Sequence, residues 1–253
     1  MPLVSYKAVE RSFQIPRVNS LNAQELPKYP LSKFMPPGVF IGVSLILPVS
    51  GRYLFGIRPP KRHENQTILE LTGIGGGVEP SDQSLSHAAL RETTEEICCQ
   101  VQLNSSDSTL IVYDQGRVEA VEIVGVERPA AIVYRNYRTP PHQPWHPNHS
   151  GWTCLAVFWG TLIGQPKPCG ELPWLLCITE RQILETARRD IPLAQLLENE
   201  AVLITGKALP PQMNALVRLT DSQEALALAL GEGLIRFYKS ANYLDGLANY
   251  GGV

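Results

Sequence analysis

Residues 73–97 read Gly73-Ile-Gly-Gly-Gly-Val-Glu-Pro-Ser-Asp-Gln-Ser-Leu-Ser-His-Ala-Ala-Leu-Arg-Glu-Thr-Thr-Glu-Glu-Ile97, a glycine-rich turn that runs straight into a helix. Leu85, Ala89, Thr93 and Ile97 recur one turn apart and form its packed side, with Ser84 or Asp82 as the cap. Glu92, Glu95 and Glu96 stand at i, i+3 and i+4, so their carboxylates project together on a different side. Like charges at i, i+4 destabilise a helix by roughly 0.2–0.5 kcal/mol each, so the cluster calls for a counter-charge. Mg²⁺ or Mn²⁺ meets that need, because these hard ions take carboxylate oxygens and share their remaining positions with water and substrate phosphates. The expected substrate is therefore a phosphate ester or anhydride. A solvated acidic helix face is the alternative. Arg91 is placed to pair with Glu95 at i+4 and hold that carboxylate in one orientation.

These residues resemble the signature of the Nudix hydrolases, G-x5-E-x7-R-E-U-x-E-E-x-G-U with U aliphatic. Arg91, Glu92, Glu95 and Glu96 match its kernel, and Gly75 to Pro80 match the upstream Gly-Gly-x-Val-Glu-Pro. The resemblance covers this window and is only architectural elsewhere. It implies an α/β/α sandwich with a mixed β-sheet, and hydrolysis of a nucleoside diphosphate linked to another moiety. It further implies Mg²⁺ or Mn²⁺ held by Glu92, Glu95 and Glu96, and a catalytic set of Glu92, Arg91 and Glu95 with Glu92 as general base. Substrate contacts fall to Gly76, Gly77 and Arg58, with the Gly76 carbonyl as a further ligand. A fourth carboxylate comes from a later loop in this family. Glu171 is the candidate here, with Glu119, Glu122 and Glu127 as competitors.

The match departs from the pattern at several positions. Counting back from Arg91 places Gln83 at the first glutamate, whereas counting forward from Gly75-Gly76 places Asp82 there with one extra residue before Arg91. The second register is preferred because it keeps an acid. Thr93 replaces the aliphatic residue, and Cys98 replaces the glycine at the helix end, a costly exchange if that position needs positive φ. These departures keep open a second reading, a Nudix-fold nucleotide sensor or regulatory domain with weak turnover. Residues 115–117 are Gln-Gly-Arg, without the proline or tyrosine that some family members carry there, so the substrate is read at class level only.

The rest of the chain fits one domain with extensions. Its 253 residues, 44% hydrophobic and 18% charged, are enough for a substantial core. A formal net charge of −2 makes no case for nucleic acid as the main partner. Cys98, Cys99, Cys154, Cys169 and Cys177 are odd in number and contain no C-x-x-C pair, which argues against a disulfide framework and for a reducing cytoplasm. The charged N-terminal stretch gives no signal peptide, and the apolar run Val39–Val49 is too short to span a bilayer, so no membrane partner is expected.

Residues 1–36 are proline-punctuated and read as an N-terminal extension, 37–205 as the Nudix-like domain, and 206–253 as a C-terminal helical extension. Val39–Leu47 and Arg52–Ile57 predict a hairpin around Pro48–Gly51. Further strands are expected at 68–71, 109–113, 118–126, 130–135, 153–163 and 174–178. A helix at 180–199 follows Thr179 as cap, with a break or restart at Pro192, and another helix is expected at 221–230. The loop 137–149 carries His142, His146 and His149 among prolines. It reads as a surface loop over the pocket rather than a transition-metal site, with Arg138, Trp145 or His146 as substrate contacts. Lys61 and Arg62 are alternative phosphate contacts. The segment from Leu234 through Tyr238 and Tyr243 reads as a homodimer contact or a lid.

Overall fold

The structure is a computed structural model that describes residues 26–113, 117–136, 152–220 and 227. The strands, in chain order, are β1 (Lys28–Pro30), β2 (Phe40–Val49), β3 (Arg52–Ile57), β4 (Lys61–His63), β5 (Gln66–Thr72), β6 (Gln100–Asn104), β7 (Thr109–Val112), β8 (Val118–Val124), β9 (Ala131–Asn136), β10 (Trp152–Ile163), β11 (Trp174–Ile178), β12 (Ile191–Pro192), β13 (Val202–Thr205) and β14 (Leu216–Leu219). The helices are α1 (Leu85–Ile97), α2 (Glu180–Arg188) and α3 (Leu193–Glu198).

The hairpin β2–β3 turns at Ser50 and Gly51, both at positive φ, the backbone that a two-residue connection between twisted strands requires. Beyond it β2 lies parallel to β10, and β3 pairs with both β5 and β11. The strand order β1-β8-β7-β9-β10-β2-β3-β5-β14-β12 mixes parallel and antiparallel neighbours. Period-2 alternation sorts its side chains between two layers. Val43, Leu45 and Leu47 of β2, Leu54 of β3, Phe158 of β10 and Leu175 of β11 pack with Ala88, Ala89 and Ile97 of α1. Ile46, Tyr53, Phe55, Val157 and Leu176 enter the opposite layer, with Ile183 of α2 and Leu193 and Leu196 of α3. The result is the expected mixed sheet between helices, an α/β architecture.

Several elements refine the sequence reading. Lys61 lies in β4, paired with β5, and its Nζ is 2.7 Å from Glu70. The predicted helix over 180–199 is two helices joined by β12, restarting at Pro192. Thr179 and Gln182 form a reciprocal capping box at the start of α2. From the segment 206–253, β14 joins the sheet parallel to β5, and Ala227 is helical and buried. From the segment 1–36, β1 pairs with β8 and Phe34 is buried against Ile111, Ile123 and Ile132. Among the described residues, no helix is long and apolar enough to cross a membrane. The loop 137–149, most of the helix at 221–230 and the segment from Leu234 onward lie outside the described residues.

Candidate active site

The glycine turn is stitched to β2. Val43 N donates to Gly76 O (2.9 Å), Leu45 N to Ile74 O (2.9 Å) and Val78 N to Ile41 O (3.0 Å). Glycine is needed here because backbone and carboxylate crowd the same space. A Cβ on Gly75 would overlap the Val43 carbonyl, and one on Gly76 would sit 2.5 Å from Glu92 Oε1. Gly75 N donates to Glu96 Oε2 at 2.8 Å. The turn thus lets two carboxylates of α1 close on backbone. The Gly76 carbonyl, expected as a ligand, already accepts one backbone hydrogen bond, and Gly77 O accepts from Arg91 Nη2 at 2.9 Å. Gly76 O and Gly77 O thus help to build the turn, and each carbonyl keeps a second lone pair.

Ser84 is the N-cap of α1, its hydroxyl accepting from His87 N. Asp82 has a different task. Its side chain is closed off from solvent, and it accepts from Arg91 Nε (3.2 Å) and Nη2 (3.0 Å) and from Glu79 N (2.8 Å). His87 Nδ1 lies 3.0 Å from Oδ1, the oxygen that also accepts from Arg91 Nε. The hydrogen bonds from Arg91 hold the Asp82 carboxyl down at about 2. Anchored there, Arg91 reaches forward with Nη1 to Glu92 Oε1 (2.8 Å) and Glu95 Oε2 (3.1 Å). The expected i+4 pair is present, but Arg91 is the centre of a larger network that orients two glutamates. The choice of Asp82 over Gln83 identified the acidic position, while the anchoring role was missed. The i, i+9 spacing of Asp82 and Arg91 across a helix start carried no helical signal.

Burial sets the state of the glutamates. It pushes Glu96 up to about 8, helped by Glu92 and Glu171 and opposed by the Gly75 amide and by Arg58. Glu92 is also raised, chiefly by burial and against the pull of Arg91. Glu95 is exposed. Glu96, Glu171 and Arg58 line one open cavity of about 1490 Å³, together with Lys167, Trp174 and Lys207. The other carboxylates considered for the fourth position are engaged elsewhere. Glu127 accepts from Ser86 N at the far end of α1, Glu122 pairs with Lys28, and Glu119 bonds Tyr113 and Arg117.

Cys98 is the C-cap of α1 with φ 47°, the left-handed conformation that glycine enters freely and that costs other residues about 1–2 kcal/mol. The structure explains the cysteine, which is disulfide-bonded to Cys169, 71 residues away, with Cα atoms 6.0 Å apart. Closing so long a loop stabilises the folded chain by about 4 kcal/mol on chain-entropy grounds, more than the backbone strain costs. The expectation of no disulfide is thereby corrected. An odd count and the lack of a C-x-x-C pair do not exclude one long-range pair between a helix end and a distant loop. Cys99, Cys154 and Cys177 are buried free thiols.

Among the described residues, no three His, Cys, Asp or Glu side chains stand close enough together to hold a metal ion as they are placed. The donor chemistry nevertheless fits a hard divalent cation. Arg91 takes one oxygen each of Glu92 and Glu95, leaving a second oxygen on each, and the buried Glu96 carboxylate carries repulsion from Glu92 and Glu171 that a cation would relieve.

No family model matches the sequence, and no curated protein matches it. Solved structures with a similar course of the backbone include a Nudix hydrolase from Nitrosomonas europaea, 16% identical, covering 64% of this chain and 87% of that one with a TM-score of 0.38. A hydrolase of the Nudix family from Clostridium perfringens is 16% identical, covering 76% of this chain and 98% of its own, with a TM-score of 0.38. The MutT protein from Methanosarcina mazei is 16% identical, covering 64% of this chain and 85% of that one, with a TM-score of 0.35.

Proposed function

We propose that this chain is a Nudix-type, metal-dependent pyrophosphohydrolase that cleaves a nucleoside diphosphate linked to another moiety. The observation that carries the reading is that Arg91 orients Glu92 and Glu95 on the last two turns of α1, while Glu96, on the same turns, lines a cavity that also presents Glu171 and Arg58. Glu92, Glu95, Glu96 and Glu171 would hold Mg²⁺ or Mn²⁺, which when bound polarises a phosphoryl oxygen and lowers the pKa of a coordinated water. Glu92 is the general base, its burial raising its proton affinity above that of a solvated glutamate. Arg91 holds Glu92 and Glu95 in register from its Asp82 anchor. Arg58 and Lys167 meet the diphosphate charge from the cavity wall. Gly75 and Gly76 keep the carboxylates close to backbone.

The test is release of nucleotide or phosphate from a panel of nucleoside diphosphate derivatives with Mg²⁺, Mn²⁺ or chelator. Cleavage should require metal and fall at least about tenfold in both Glu95→Gln and Glu96→Gln. The second reading, a nucleotide sensor with weak turnover, draws on Arg91 already occupying an oxygen of Glu92 and of Glu95. Nucleotide binding without metal-dependent cleavage across the panel would select it. The Cys98–Cys169 bond removes the cysteine argument for a reducing compartment. A homodimer through the segment from Leu234 onward is a matter for solution mass measurement.

A further inference from the structure

The last carbonyls of a helix lack intrahelical donors and must be satisfied from outside. Here the donors come from the loop 164–173, with Lys167 N donating to Ile97 O at 2.9 Å and Cys169 N to Glu96 O at 2.9 Å. Gly170, at φ 53°, brings its backbone so near Glu95 O that a Cβ would stand 2.7 Å away. The loop thus caps the carbonyls of Glu96 and Ile97 and packs against that of Glu95, the stretch whose side chains form the acidic cluster. The same short loop carries Lys167 and Glu171 into the cavity that Glu96 lines.

The covalent link sits within this contact. Cys98 is exposed and Cys169 half-buried, and both line the cavity, so a small reductant reaches the bond. All other cysteines are buried, with the thiols of Cys154 and Cys177 pushed up to about 12 by burial. Thiol chemistry at this protein is thereby directed to one bond.

We propose that the Cys98–Cys169 disulfide is a redox-sensitive clasp that holds the loop 164–173, and with it Glu171 and Lys167, against the glutamate end of α1, so that its reduction loosens the site. The proposal rests on the reading of Glu92, Glu95, Glu96 and Glu171 as cation ligands. In the reductive step a dithiol attacks one sulfur and the Sγ–Sγ bond breaks. Two electrons and two protons are delivered to Cys98 and Cys169 as thiols, while the dithiol closes into its own cyclic disulfide. The reverse exchange with excess oxidised dithiol restores the bond. Without the link the stretch from Lys167 to Gly170 keeps two backbone hydrogen bonds to the helix end, between buried Pro166 and Leu172 that stay packed, so the opening is confined to this stretch. Cys98 and Cys169 are positioning residues, since they act through Glu171 and Lys167.

The experiment compares full-length protein, oxidised and after reduction and removal of the dithiol, by amide hydrogen exchange and by Mn²⁺ binding measured with electron paramagnetic resonance. Cys98→Gly with Cys169→Ser serves as a link-free chain that keeps the left-handed cap without strain. Reduction should speed exchange at Lys167 and Cys169, weaken Mn²⁺ binding about tenfold or more, and leave the link-free chain at the reduced value under both conditions. In Glu171→Gln the effect of reduction on Mn²⁺ affinity should shrink, an outcome that general destabilisation does not produce. Equal exchange at both amides in the two redox states overturns the clasp, as does faster exchange with unchanged Mn²⁺ affinity. If oxidised protein binds no Mn²⁺, the ligand reading fails, and the exchange at these two amides alone decides whether the clasp stands.

Discussion

At its N-terminal end α1 is held by hydrogen bonds and charge: the Ser84 cap, the Glu127 carboxylate on Ser86 N, and the buried Asp82 under Arg91 and His87. At its C-terminal end a left-handed cysteine, a covalent bond to Cys169 and two loop amides hold it. The three glutamates lie in the last two turns, between these anchors. One end answers to protons and the other to electrons, although both orient the same carboxylates. The contrast teaches that the helix is positioned from outside the motif as much as by it.

The largest effect should come from cutting the first anchor where it reaches the glutamates. Arg91→Lys cannot reproduce the fork that spans Asp82, Gly77 O, Glu92 and Glu95. Metal-dependent cleavage should fall about 10- to 100-fold, the range for losing an outer-shell partner, and kinetics on the purified variant would show it. An unchanged rate would mean that the N-terminal network is scaffolding only. Breaking the other end by Cys98→Gly with Cys169→Ser should lower unfolding free energy by about 2–3 kcal/mol, the loop-closure gain less the relieved backbone strain. Urea denaturation of oxidised protein and variant measures the difference.

Acid–base behaviour separates the anchors further. Glu96 is raised from its usual 4.5 to about 8, so its contribution to stability is fully present below 4.5 and is lost as pH rises through about 8. Metal-free protein should therefore lose stability between pH 5 and 8, and Glu96→Gln should flatten that slope in chemical denaturation at a series of pH values. Asp82 has the opposite sign. Lowered from 3.8 to about 2, it contributes stability above 3.8 that disappears as pH falls through about 2, an effect absent in Asp82→Asn. The smallest change is at the cap itself, where Ser84→Ala should cost about 1 kcal/mol, read as a shift in the denaturation midpoint.

Local and periodic features were legible before any coordinates. The hairpin around Ser50-Gly51, the packed side of α1, the Thr179 cap and the restart at Pro192 follow from the 2.0 and 3.6 periodicities and from backbone preferences that each residue carries alone. The Arg91–Glu95 pair follows from helix spacing. The meaning of Cys98 was half legible, since its cost in a left-handed cap was readable while its compensation lay 71 residues away.

The sequence by itself determined the hairpin β2–β3, the strand β10 and the helix α1, which side of α1 is apolar and which acidic, and hence the chemical class of ligand that the acidic side suits. Only the tertiary structure decided which distant groups meet that side. It seated Asp82 beneath Arg91, turned the Gly76 carbonyl inward to β2, sent Glu127 to the helix start, and brought Glu171, Arg58 and the Cys169 loop to the helix end. Periodicity reports the neighbours of a residue along its own element, whereas these contacts join elements whose separation in the chain leaves no periodic trace.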